Sequence, residues 1–270
     1  MNAAGSPGDW PWAGAGMPDN RLGWVWGLVA AEAARRGGRV SAGDACVAAA
    51  AAVEVTGAWL VAASGAEAGH LMRVTDEVSE LLAELQLTLG EGPGLDASAS
   101  GGVVLASDLG EVEAGRRWPA FTPAARLAGA AAIFAFPLQD GAIRAGIMGL
   151  YRERPGPLSA FQLGDALVFA DTAMMLLLGA DGQAPDPGEP YLAAPGPGGQ
   201  PADLALHRAE IDQATGMLTE QLGVGIAEAF IRLRGYAYAH DRRLSDLARD
   251  IVARRLRLQP DPDPGKDGQA

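Results

Sequence analysis

The sequence predicts an α+β protein, with an antiparallel sheet between layers of helices followed by a small all-α module of three helices. Apolar runs at 58–64 and 70–76 are joined by a turn, and a second pair flanks Asp140-Gly141. Such pairs indicate β-hairpins rather than parallel strands joined by helices. An antiparallel sheet of this kind buries its faces under helices. A segment rich in proline and glycine then separates the hairpins from the helical module.

The composition is that of a globular protein that works without a membrane. Of the 270 residues, 49% are hydrophobic and 20% are charged, which allows a substantial core. A single cysteine, Cys46, excludes an internal disulfide. The first 20 residues lack the basic and apolar regions of a signal peptide. No uninterrupted run of about 18 apolar residues occurs. We therefore expect a cytoplasmic protein with no membrane partner.

The elements of the first domain follow in chain order. Ser41 is a suitable N-cap for the second helix, with Asp44 in its first turn. Pro119 is expected in the first turn of a later helix, and Ser159 with Gln162 forms a capping box for the last one, which stops at Gly179. The expected helices are 22–36, 41–56, 79–89, 118–129 and 159–179, and the expected strands are 58–64, 70–76, 103–109, 131–139 and 142–152.

The second domain follows a linker. Residues 180–201 contain six prolines and five glycines, a composition that does not pack a core. Three helices then fit 203–223, 226–240 and 243–257, with Asp203 as the first N-cap. Ile226, Phe230, Leu233 and Ala237 form the apolar stripe of the second helix, and Leu244, Leu247, Ala248 and Ile251 that of the third. The predicted organisation is a disordered arm at 1–20, a sheet domain at 21–179, a linker at 180–201, a helical module at 202–258 and a disordered tail at 259–270.

Positive charge is concentrated in the helical module. The segment 229–258 has eight arginines and three aspartates, a net charge of +5, whereas the whole chain has −12 and the remainder therefore −17. A basic patch on an acidic protein indicates a polyanionic partner, because neutralised phosphates supply most sequence-independent affinity for nucleic acid. A solvated helix surface is the alternative explanation.

The pattern "ALHRAEIDQATGML…EAFIRLRGYA…RRLSDLA" resembles the ANTAR family, RNA-binding modules of bacterial transcription antiterminators. The matching positions are Ala205, Arg208, Ile211, Gln213, Ala214, Gly216, Leu218, Ala229, Phe230, Leu233, Arg234, Ala237, Leu244, Asp246 and Ala248. The resemblance implies binding to hairpin loops in nascent transcripts, which blocks formation of a terminator. RNA specificity of this kind depends on unpaired loop bases.

The same resemblance implies which residues contact RNA and which form the core. The implied RNA-binding positions are Arg208, Gln213, Thr215, Gly216, Arg242 and Arg243, and the implied core is Ile211, Leu218, Phe230, Leu233, Leu244 and Ala248. Thr215 stands where the family usually has Lys, and Asp241 where it often has Asn. Both departures weaken phosphate contacts. We expect Thr215→Lys to restore one.

Residues 40–178 resemble the GAF domains that precede ANTAR modules in actinobacterial regulators. The resemblance rests on "LTLGEGPGLDASASGGVVLASDL", "RWPAFTPAARLAGAAAIFAFPLQ" and "GIMGLYRERPGPLS". It implies a sheet of five or six antiparallel strands that binds an unidentified small molecule or serves as a platform for a homodimer. Gly94 stands where related domains often have Cys, and Cys46 lies in an alanine-rich segment typical of a buried thiol.

No enzyme, cofactor or metal site is expected from the sequence. His70, His207 and His240 have no metal-ligand spacing, and no nucleophile-base or paired-carboxylate pattern stands out. The leading hypothesis is a signal-responsive RNA-binding regulator. One alternative is a signalling scaffold that has lost RNA binding, which Thr215 and Asp241 favour and the arginines oppose. Another is a DNA-binding helix-turn-helix, against which the connection at 239–243 and the family pattern argue.

Overall fold

The computed structural model describes residues 21–64, 67–180, 201–240 and 242–258, with side chains described except at 64–70, 180 and 201–208. The predicted arm at 1–20, nearly all of the predicted linker, Asp241 and the predicted tail at 259–270 lie outside the described residues. The boundaries of the two domains therefore stay a prediction.

The sheet has five strands, all antiparallel, in the order β2-β1-β5-β4-β3. The strands are β1 (Gly57–Ser64), β2 (Glu67–Val74), β3 (Val104–Ala106), β4 (Ala132–Asp140) and β5 (Ile143–Arg152). The predicted antiparallel architecture is confirmed. Gly141 and Ala142 join β4 to β5, one residue later than the predicted turn at Asp140-Gly141, and Gly141 has the positive φ of 58° that a tight hairpin turn requires. β3 is shorter than expected from its apolar sequence.

Both faces of the sheet are buried. Along β4, Phe134 and Phe136 point into one core, whereas Ile133 and Ala135 point into the other, as the two-residue period of a strand requires. The first core lies under helices α1 (Arg21–Arg36), α2 (Ala42–Ala52) and α7 (Ala160–Ala180). Near α2, the carboxylate of Asp44 accepts hydrogen bonds from Ser41 N at 2.8 Å and Ser41 Oγ at 2.7 Å.

The predicted capping box of α7 is confirmed. Ser159 N donates to Gln162 Oε1 at 3.0 Å, and Gln162 N donates to Ser159 Oγ at 3.2 Å. By length and composition α7 is also apolar enough to cross a membrane, with a mean hydropathy of 1.5 over Ala160–Gly179. It packs against α2 and β4 as one layer of the domain and contains Asp165 and Asp171.

Four shorter helices cover the opposite face of the sheet. They are α3 (Glu77–Leu89), α4 (Pro93–Ser100), α5 (Val112–Arg117) and α6 (Phe121–Leu127). Two of them, α4 and α5, were not expected from the sequence. The prediction that Pro119 lies in a first helical turn is wrong, because α6 begins at Phe121. Glu91 Oε1 accepts the backbone N–H groups of Ala120 at 2.6 Å and Phe121 at 2.7 Å, which stabilises this start.

The C-terminal module consists of three helices, as predicted: α8 (Pro201–Leu222), α9 (Ile226–Ala239) and α10 (Leu244–Val252). Asp203 is not an N-cap, because α8 already begins at Pro201. The predicted apolar stripe of α10 is buried throughout. The stripe of α9 is shifted by one residue at its start, since Ala229 is buried while Ile226 is exposed and Phe230 is only partly buried.

The module packs directly on the sheet domain. Helix α8 lies against the edge strand β2, and α9 lies against α3. Leu87 of α3 joins the apolar core of the module. The two halves of the chain therefore share an interface that the sequence did not predict.

Candidate nucleic-acid interface

Helix α8 presents only part of the predicted RNA-binding set to solvent. Gln213 is exposed, and Gly216 is partly exposed with open space where a Cβ atom would lie. The side chain of Arg208 lies outside the described residues. These two described positions can contact a ligand without rearrangement of the helix.

Thr215 does not face solvent, and its prediction as a contact residue disagrees with the structure. Its side chain is 4% exposed, and Thr215 Oγ1 donates to the backbone oxygen of Ile211 at 2.7 Å. The cause is helical periodicity, because Thr215 follows Ile211 by one turn and precedes Leu218 by another, and both lie in the module's core. A cation at this position would be buried.

Arg242 and Arg243 lie between α9 and α10, next to a second pair of arginines. Arg242 Nη2 is 2.6 Å from Asp250 Oδ2, and Arg255 Nη2 is 2.8 Å from Asp250 Oδ1. Hydrogen bonds from Arg242 and Arg255 lower the pKa of the Asp250 carboxyl. Asp250 thus holds together two guanidinium groups from the segments before and after α10. We define Arg242, Arg243, Arg254 and Arg255 as the arginine cluster.

The segment after α10 folds back onto the module and brings Arg255, with the adjacent Arg254 before it in the chain, to this place. Arg254 has a φ of 57°, which turns the chain at the end of the helix. Leu258 is buried in the module's core, and its backbone oxygen accepts a hydrogen bond from the Gln221 side chain. Nothing local in the sequence pairs Arg255 with Arg242, so this convergence was not predictable.

The other arginines of the module have different surroundings. Arg232 pairs with Glu228 at 2.8 Å and Arg249 with Asp246 at 3.1 Å. Such surface pairs contribute about 0–1 kcal/mol each, so they add little to the stability of the module. Among the described residues of the module, three exposed arginines have no ion pair or side-chain hydrogen bond: Arg243, Arg254 and Arg257.

Aromatic rings lie at the end of α9, shortly before Arg242. Tyr238 is 64% exposed. The rings of Tyr236 and His240 stack with centroids 3.8 Å apart, and His240 Nδ1 is 2.9 Å from the backbone oxygen of Tyr236. Exposed aromatic rings beside cations suit unpaired bases, which stack on them.

The sheet domain fills its α3–α6 face with its own side chains. Trp59, Trp118 and Phe121 are buried there, and the Trp59 ring occupies the space where Gly149 lacks a side chain. Gln86 Oε1 accepts Gly94 N at 2.6 Å and fixes the "GEGPG" loop. On the other face, burial raises the pKa of the Cys46 thiol to about 12, as predicted for an unreactive cysteine. The described side chains include no group suited to a metal ion.

Comparison with known proteins identifies the C-terminal segment. Residues 205–252 match the family model described as ANTAR domain. This range begins within α8 and ends at the last residue of α10, so it contains most of the module. A comparison with curated proteins finds no match.

Solved structures similar to this chain include GAF domains. The GAF domain of an Acinetobacter phosphoenolpyruvate-protein phosphotransferase is 13% identical, with 62% of this chain and 98% of that chain covered and a TM-score of 0.45. The GAF domain of a Coxiella burnetii phosphoenolpyruvate-protein phosphotransferase is 12% identical, with 60% of this chain and 97% of that chain covered and a TM-score of 0.46. The GAF-B domain of DevS from Mycobacterium smegmatis is 17% identical, with 52% of this chain and 91% of that chain covered and a TM-score of 0.38.

Proposed function

We propose that this signal-responsive regulator, which contains an ANTAR domain at 205–252, binds hairpin RNA through its arginine cluster and acts in transcription antitermination. The observation that carries the proposal is the convergence of arginines from two segments on Asp250. Guanidinium groups bind phosphate oxygens in a bidentate manner. Tyr238 supplies a stacking surface for a loop base, and Gln213 and Gly216 line the exposed side of α8.

The test is the salt dependence of RNA binding. We compare the wild-type chain with Arg243→Gln/Arg254→Gln, since neither side chain is engaged elsewhere among the described residues. The probe is a hairpin RNA with an unpaired loop, with duplex DNA as competitor. Each lost phosphate contact reduces the log-log salt slope by about 0.7–0.9, so the double variant should lose up to about 1.8 units and bind more weakly.

A matched control removes the same charge elsewhere. Arg116 and Arg126 are exposed on the sheet domain, so Arg116→Gln/Arg126→Gln changes the net charge equally without touching the module. If this control weakens binding as much as the cluster variant, the cluster is not the binding site. If the RNA is bound, read-through of a terminator placed after the hairpin in transcription reactions then tests antitermination.

A signalling scaffold without RNA binding is the second candidate function. The burial of Thr215 favours it, because the position where the family usually has a cation is closed. Binding of hairpin RNA no stronger than that of duplex DNA, together with a salt slope near zero, would support this candidate over antitermination.

A homodimer formed by α1 and α7 is part of the proposal. Phe161 is 61% exposed and Met175 is 46% exposed on one side of α7, and Trp24 of the adjacent α1 is 45% exposed. In a two-fold symmetric dimer, the same exposed apolar side chains of a second copy would pack against these three, so that both copies bury them. Phe161→Asp/Met175→Asp should convert a dimer to a monomer in sedimentation equilibrium. Leu127→Asp, on α6, should leave it unchanged.

A further inference from the structure

Helix α10 receives its N-terminal cap from the sheet domain. Its own N-cap residue is Arg243, which makes no side-chain capping bond and places a positive charge at the positive end of the helix. Glu84 Oε1, on α3, accepts hydrogen bonds from Ser245 N at 2.9 Å and Ser245 Oγ at 2.7 Å. A carboxylate in this position satisfies an unpaired N–H group and offsets the charge.

At the end of α3, the helical module in turn supplies a cap to the sheet domain. This helix ends at Gly90 in the left-handed conformation and has no basic residue in its last turn. Arg234 Nε, on α9, donates to the backbone oxygen of Thr88 at 3.0 Å. Burial lowers the pKa of the Arg234 guanidinium, which reflects its withdrawal from solvent. A cation at a helix C-terminus is favourable.

An apolar contact lies between these two polar contacts. Leu87, three residues after Glu84 and so on the same side of α3, packs against the core of the module. Each domain thus supplies the charged cap that the other domain's helix lacks, around a shared apolar residue. These two polar contacts, with the apolar contact of Leu87 between them, indicate a specific docked state rather than an incidental contact.

We propose that Glu84 and Arg234 form an interdomain clasp that holds the helical module against α3, and that opening this clasp strengthens RNA binding. The second half rests on the proposed function. In the docked state the Glu84 carboxylate lies at the start of α10, next to Arg243, and opposes an approaching phosphate. The cation of Arg234 is directed toward α3. Opening the clasp moves the Glu84 carboxylate away from the start of α10 and makes the Arg234 guanidinium available to RNA.

The experiment uses the full chain and measures docking separately from binding. Hydrogen exchange of peptides covering 243–252 reports the opening of α10, because Ser245 N is a donor to Glu84. Glu84→Ala removes the acceptor of the Ser245 hydrogen bonds, and Arg234→Gln removes the charged donor to the Thr88 oxygen. Loss of hydrogen bonds to a charged group corresponds to an increase in the open population of about 10- to 100-fold. RNA affinity is measured on the same samples, and circular dichroism checks that each variant is folded.

The matched controls are Glu77→Gln, an exposed glutamate in the first turn of α3, and Arg232→Gln on α9. We expect faster exchange for both clasp variants, tighter RNA binding for Glu84→Ala, which keeps the Arg234 cation, and neither change for the controls. Exchange that stays at the wild-type rate in both clasp variants overturns the clasp. Faster exchange with unchanged affinity of Glu84→Ala, in a chain that binds RNA, overturns its regulatory role. If no variant binds RNA, the proposed function fails, while exchange still decides whether the clasp exists.

Discussion

Thr215→Lys distinguishes the structure from the family pattern more sharply than any other substitution. The family usually has Lys at this position, so the sequence predicts that the substitution restores a phosphate contact. The structure predicts the opposite. Thr215 is 4% exposed, its hydroxyl is bonded to the Ile211 oxygen at 2.7 Å, and the neighbouring Ala214 and Leu218 are fully buried.

The expected cost follows from volume and charge. Insertion of a longer side chain into a packed site costs about 1–3 kcal/mol, and an ammonium without a buried partner adds a desolvation cost. Lys reduces this cost by extending its charged end toward solvent. Lys is also a better helix former than Thr by a few tenths of a kcal/mol. We expect the free energy of unfolding of the module to fall by about 2–4 kcal/mol in total.

The assay resolves the two domains. All six tryptophans lie at or before Trp118, so tryptophan fluorescence follows the sheet domain alone, whereas far-ultraviolet circular dichroism also follows the helical module. Urea titration of Thr215→Lys should show an early loss of helical signal with the fluorescence midpoint nearly unchanged. RNA binding should weaken at the temperatures where the module has unfolded.

Gly216→Lys is the matched control, because it adds the same side chain at the next residue, where a Cβ atom meets open space. Replacement of a helical glycine stabilises by roughly 0.5–1 kcal/mol, and the new cation is accessible to RNA. If Thr215→Lys proves as stable as Gly216→Lys and binds RNA more tightly than the wild type, then Thr215 faces solvent and our account of α8 is wrong.

Three further predictions concern stability and modularity. Leu233→Ala, at a fully buried position, should destabilise the module by about 2–5 kcal/mol, and Phe230→Ala, at a partly buried one, by no more than about 2 kcal/mol in urea titrations; equal losses would contradict the assigned faces of α9. Burial raises the pKa of Asp44, but hydrogen bonds from Arg36 and Ser41 outweigh it and the net pKa is lowered. Its contribution is therefore complete above an unfolded pKa of about 3.9 and disappears as pH falls through the folded value. Asp44→Asn should cost about 3 kcal/mol near pH 7, and this difference should shrink in acid; a difference that is independent of pH would exclude the charge as its cause. Proteolysis at a site inserted within 181–200 should leave two fragments that keep their secondary structure by circular dichroism, and an unfolded sheet fragment would contradict the predicted boundary.

Features with local causes were predictable from the sequence. The turn that contains Gly141 needs a positive φ, and glycine adopts it at no steric cost. The capping box of Ser159 and Gln162 depends on residues three positions apart. The stripe of α10 follows from helical spacing alone. In each case a few neighbouring residues decide the conformation.

Features that depend on distant residues were not predictable. Glu84 and Ser245 are separated by 161 positions in the sequence. Arg242 meets Asp250 and Arg255 only because the chain turns at Arg254 after α10. The burial of Thr215 was not predictable for a related reason, since the family pattern gives the residue type at a position but not which side of α8 is covered in this chain.

Helix α3 connects the two halves of the molecule physically. Its Leu82 and Ala83 pack in the core above the sheet, whereas Glu84, Leu87 and the Thr88 oxygen contact the module. A well-packed core transmits small displacements rather than absorbing them. A small molecule that shifts α3 against the sheet must therefore also shift the Glu84 carboxylate relative to α10. We expect any ligand of the sheet domain that regulates this chain to change the hydrogen exchange of α10, and a regulatory ligand that leaves it unchanged would act by a route other than α3.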